Sequence, residues 1–72
     1  MKRDFTVTAN DGTEIFFHIG NRTPRRNQWE RDLIYSLFVM DKSNGVYYPT
    51  GRNYSTIKEA KEDARKNYFI WL

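Results

Sequence analysis

The chain contains no cysteine and one histidine, His18, so neither a disulfide nor a closed zinc site can hold it together. For a chain of 72 residues that is a strong constraint. At this size surface competes with volume and the core is thin, and small domains commonly rely on such staples. No stretch gathers the several carboxylates that a calcium or magnesium site needs. What remains is side-chain packing, which the five Phe, five Tyr and two Trp can supply, since each aromatic buries a large apolar area. We therefore expect a single domain over residues 1–72, with no metal or other cofactor and with nearly all apolar groups in one core.

Hydrophobic periodicity divides the chain into four strands and a helix. Phe5, Val7 and Ala9 alternate with Thr6 and Thr8, the period-two signature of a half-buried strand. Asp11-Gly12 then marks a tight hairpin turn. The return strand spans residues 13–19, with Ile15, Phe17 and Ile19 on one face and Glu14, Phe16 and His18 on the other. Residues 20–27 are polar and aperiodic and read as a loop. A third strand begins near Gln28, with Trp29, Leu33, Tyr35, Leu37 and Val39 on its more apolar face and Ile34, Phe38 and Met40 on the second. Asn44-Gly45 marks the second turn. Val46-Tyr47-Tyr48 returns, and Pro49 is expected to end that strand by removing a ladder donor, with Pro49-Thr50-Gly51 turning again.

Thr56-Ile57-Lys58-Glu59 fits a capping box, with Ser55 a competing cap. Ile57, Ala60, Ala64 and Tyr68 follow as one stripe at helical spacing, and the helix is expected to reach at least Asn67. The fold class is thus α+β, a four-stranded antiparallel sheet of two hairpins followed by one C-terminal helix, β-β-β-β-α. One helix can cover one face of a small sheet. Phe16, Ile34, Phe38 and Tyr47 or Tyr48 fall on the other. Either that face is a platform for a partner, or the loop and the tail Phe69-Ile70-Trp71-Leu72 fold over it as further core, which the economy of a small chain favours.

Charge is unevenly placed. Of the net charge of +3, residues 20–31 alone hold +3, with Arg22, Arg25, Arg26 and Arg31 against Glu30. Guanidinium groups make planar, bidentate contacts with phosphate, and Trp29 stands where it could stack on a base. Arg22, Arg25, Arg26, Trp29 and Arg31 are therefore the candidate residues for binding nucleic acid or an acidic protein partner, with the solvated, solubility-conferring loop as the ordinary alternative.

Catalytic residues are not expected. His18 has no cysteine and no suitable serine at a telling distance, and the carboxylates are scattered over hairpins and strand ends rather than paired for acid–base work. The glycines mark turns, not a phosphate-cradling loop. Met1-Lys2-Arg3-Asp4 leads straight into an alternating segment rather than an apolar leader, and no apolar run approaches the ~20 residues of a membrane span. A cytoplasmic protein with no membrane partner is expected.

Residues 33–66 also resemble a known family. A hairpin followed by Gly51-Arg52-Asn53-Tyr54-Ser55-Thr56-Ile57-Lys58-Glu59-Ala60 is similar to the strand-to-helix entry of the AP2-like arm-type DNA-binding domains of phage integrases. The resemblance is one of fold. It implies a sheet packed on a helix, and a sheet face that would lie in a DNA groove. Together these features point to a small non-enzymatic binding protein contacting nucleic acid through a basic loop and aromatics. The alternatives are a protein-binding inhibitor or adaptor of phage or mobile-element type, and a self-associating protein whose Trp71 and Leu72 help bury a homodimer interface.

Overall fold

A computed structural model of the protein describes residues 3–22 and 33–72. Its strands are β1 (Asp4–Thr8), β2 (Glu14–Asn21), β3 (Tyr35–Asp41) and β4 (Val46–Tyr54), followed by α1 (Ile57–Lys66) and a 3-10 helix, Tyr68–Trp71. The strands form one antiparallel sheet in the order β1-β2-β3-β4, each next to its neighbour in sequence. This is the α+β architecture expected, and the two hairpin turns fall where their Gly residues stand.

Register decides which side chains share a face. Phe5 lies opposite Phe17, Phe17 opposite Val39, and Val39 opposite Tyr48. The odd-numbered residues of β1 to β3 thus form one face, and α1 covers it. Phe17, Ile19 and Leu37 are completely buried there, together with Ala60 and Ala64 of the helix. The alanines let α1 approach the sheet closely, and Ile57 and Tyr68 pack at either end of the same stripe. Thr56 is the N-cap, its Oγ1 accepting from the Glu59 amide at 3.1 Å. The reciprocal half of the capping box is altered: the Glu59 carboxylate accepts from Ser55 Oγ at 3.0 Å. Asn67 ends the helix, its amide donating to Asp63 O.

Three expectations need correcting. Pro49 does not end its strand, because β4 continues to Tyr54. β4 is an outer strand of the sheet, where a residue without an N–H is tolerated. The turn expected at Thr50-Gly51 is instead a bulge. Between the pairs Phe38–Pro49 and Ser36–Asn53 the register slips, and Thr50 Oγ1 donates to Leu37 O at 2.8 Å. Gly51, at φ +82°, absorbs the kink. Second, Gly20 and Asn21 belong to β2 rather than to the loop, because they pair with Ser36 and Tyr35. Third, the tail does not fold over the second face. Trp71 packs edge-on against Phe17 at 5.2 Å between centroids, on the helix side, while Phe69, Ile70 and Leu72 are exposed. The part of the third strand expected over residues 28–32 lies outside the described residues, and Leu33 and Ile34 precede β3, which begins at Tyr35.

Phe17 is completely buried, stacked on Phe5 and edge-on to Trp71, so its truncation should be severe. Phe17→Ala is expected to cost about 3–5 kcal/mol, a large share of the roughly 5–15 kcal/mol available to a small domain. Urea unfolding followed by circular dichroism measures it.

Candidate functional site

The even-numbered residues of β1 to β3, with Tyr47, Pro49 and Asn53 of β4 opposite them, form the face away from α1, and no described element lies across it. Its rungs follow from the register. At one end Gly20 pairs with Ser36 and Ser36 with Asn53. In the middle Asp4 pairs with His18, His18 with Phe38, and Phe38 with Pro49. Toward the second turn come Thr6 with Phe16, and Met40 with Tyr47. Phe16, His18, Phe38, Met40 and Tyr47 are half-buried, each shielded in part by its neighbours.

The aromatic rings on this face are held in place. His18 lies 5.9 Å from both the Phe38 and the Tyr47 ring centroids. Its Nδ1 is 2.6 Å from Asp4 Oδ1. An ionised carboxylate only accepts, so Nδ1 carries the proton of that bond and Nε2 is the ring's other functional nitrogen. Phe38 lies across the backbone of Gly20, where a Cβ would come within 2.8 Å of the ring edge. Lys42 Nζ sits 5.9 Å from the centroid of Phe16, a cation–π distance. At the far end Ser36 Oγ donates to Asn53 Oδ1 at 2.8 Å, which fixes the amide with Nδ2 as its donor side.

Next to the Gly20–Ser36 rung the chain enters and leaves the segment over 23–32. Arg22, the one candidate arginine within the described residues, is half-buried at this neck. Its amide donates to Ile34 O and its Nη1 to Leu33 O, both at 2.9 Å. Arg22 therefore extends the β2–β3 ladder beyond Asn21. Arg3 sits at the same end, donating to Asn21 Oδ1 with its guanidinium 5.5 Å from the Tyr35 ring centroid. Arg25, Arg26, Trp29 and Arg31 lie outside the described residues.

A second polar cluster lies between β4 and α1. Asp63 accepts from Arg52 Nη1 at 3.0 Å, from the Tyr54 hydroxyl, and from Asn67 Nδ2 at 2.5 Å. Arg52 also lies 5.6 Å from the Trp71 ring centroid. Burial opposes ionisation of Asp63, but the hydrogen bonds from Tyr54, Arg52 and Asn67 outweigh it and hold the carboxyl below its ordinary value. Burial first, and then the bond to Asp63, pushes the Tyr54 hydroxyl well above the usual phenol range. This cluster ties the bulged half of β4 to the helix, and its charged groups are engaged with one another.

Sequence reading missed the Asp4–His18 pair, the seat of Phe38 on Gly20 and the Asp63 cluster. The first turns on the length of the turn. Ala9 N donates to Thr13 O, so the loop is Asn10-Asp11-Gly12, centred on Asp11, and this sets Asp4 opposite His18. A two-residue Asp11-Gly12 turn would set it opposite Ile19. The other two depend on long-range contacts. Among the described residues, no helix is long and apolar enough to cross a membrane, and no group of three His, Asp or Glu side chains is placed to hold a metal. Comparison with protein families, curated proteins and solved structures finds no match to this chain.

The Asp63 cluster has a consequence for acid stability. A carboxyl whose folded pKa lies below its unfolded one stabilises the fold above the unfolded pKa. That contribution is lost as pH falls through the folded one. Asp11 and Asp41, held low by hydrogen bonds from Thr13 and Ser43, act in the same direction. Asp63→Asn should lower stability at neutral pH by about 1–3 kcal/mol. It should also flatten the loss of stability below about pH 4, as read from urea midpoints across an acid series.

Proposed function

We propose that this protein is a small non-enzymatic domain that binds nucleic acid, using the sheet face opposite α1 and the arginine-rich segment that begins beside it. The observation that carries the reading is the row of rings on that face, Phe16, His18, Phe38 and Tyr47, beside the end of the sheet that bears Arg22. Aromatic faces on a sheet supply stacking surface for bases. The excess positive charge of residues 20–31 supplies attraction to phosphate. The resemblance of residues 33–66 to arm-type domains supports the same use of a sheet face. Arg22 serves the neck of the segment, so the phosphate contacts fall to Arg25, Arg26 and Arg31.

The test is a titration followed by the fluorescence of Trp29 and Trp71, with single- and double-stranded oligonucleotides at about 50 and 200 mM salt. Binding should weaken steeply with salt. Replacing Arg25 and Arg26 together by Ala should weaken it further and lower the slope of log K on log salt by about 1–2. No binding at the lower salt would reject the reading.

A different observation favours a protein partner or a second copy. Phe69, Ile70 and Leu72 are 61%, 48% and 63% exposed, and Val46 and Tyr48 of the outer strand are exposed as well. Exposed apolar groups in such number on so small a domain mark association surfaces. If this surface pairs with another copy, sedimentation will show a mass that rises with concentration. Phe69→Ser combined with Leu72→Ser will then return the protein to a monomer.

A further inference from the structure

Resting on the nucleic-acid reading, we infer that the ligand of the sheet face is an unpaired strand, two of whose bases stack on Phe38 and Tyr47. In a duplex the flat faces of the bases are hidden within the stack and only their edges reach the grooves. A face built to enter a groove should carry cations or amides along its length. Here the middle rungs carry rings instead, and among the described residues the cations at this face are Lys42 at the turn end and Arg22 at the neck, whose Nη1 is bonded to Leu33 O. A row of ring faces can be used by a base whose own face is open, which means a single strand.

The four aromatic groups differ in their availability. Phe16 is capped by the Lys42 ammonium, and His18 is hydrogen-bonded to Asp4, with its ring tilted 5.9 Å from both Phe38 and Tyr47. Phe38 and Tyr47 are the two stations left, on adjacent strands and on neighbouring rungs. Phe38 is seated firmly for this role, because Gly20 leaves its ring room to lie against the backbone. The groups around the stations match the rest of a strand. Lys42, at the turn end, offers a phosphate contact. Asn53, oriented by Ser36, presents donors at the opposite end for a base edge. The acids of this face, Asp4 and Glu14, stand toward β1, and Asp4 is engaged by His18. The phosphate path therefore runs along the β3–β4 side, away from them.

The experiment compares fluorescence-labelled oligothymidylate and oligouridylate of about twelve nucleotides with a duplex of the same length and with heparin as a polyanion lacking bases. Phe38→Ala and Tyr47→Ala should each weaken single-strand binding by roughly 5- to 100-fold and leave heparin binding unchanged. Tyr47→Phe and Phe38→Trp should retain it. In the unmodified protein, the ring resonances of Phe38, Tyr47 and His18 should shift on adding the single strand, which needs no variant to fold. Equal binding of single strand and duplex, with these resonances unmoved and both alanine variants unaffected, would overturn the platform. Nucleic-acid binding through the arginine segment would then still stand. Failure of the folded protein to bind any of the oligonucleotides would overturn both.

Discussion

With no cross-link available, the core is built around the ring of Phe17, which is completely buried. Phe5 stacks on it from β1 at 5.3 Å, and Trp71 meets it edge-on from the 3-10 helix. Both geometries are ones that aromatic quadrupoles favour. Ala60 and Ala64 matter for the same reason. Larger residues there would lift α1 away from the sheet and uncover Phe17, Ile19 and Leu37, which are now completely buried. A core this small has few contacts to spare, and its order depends on three aromatic rings meeting in one place.

Committing the odd face to the core settles the position of everything else. A single ten-residue helix covers one side of a four-stranded sheet, and Trp71 joins it on that side. The opposite face is left with residues that tolerate partial exposure. Aromatics shield one another, an imidazole is hydrogen-bonded to a carboxylate, and a lysine lies over a ring. These contacts order the face without burying it. A surface both ordered and partly apolar is suited to recognition, because few side chains must lose freedom when a partner arrives.

The outer strand shows a similar economy. β4 passes through Pro49 and then kinks at Thr50-Gly51, features that would disrupt a central strand and that blunt an outer one against unwanted pairing. The kink is not left loose. Beyond it, Arg52 and Tyr54 reach Asp63 on α1, and Asn67 closes the cluster from the end of the helix. Polar bonds thus anchor the part of the sheet where the ladder is least regular.

Much of this was legible in the chain itself, because alternation, turn residues and capping act over a few neighbours. The period-two runs around Phe5, Phe17 and Leu37 marked the strands and their buried faces. Thr56, Ala60 and Ala64 marked the helix and its buried stripe, and Asp11-Gly12 and Asn44-Gly45 marked the turns. The sequence by itself determined one cysteine-free α+β domain with an arginine-rich segment between its hairpins. Tertiary structure alone decided that Pro49 lies in an outer strand and is tolerated there. It alone decided that Gly20 makes room for Phe38, and that Trp71 joins the helix side, leaving no described element across the opposite face. These outcomes turn on which strand lies at the edge and which groups meet across the sheet, and such long-range contacts leave no mark on local spacing.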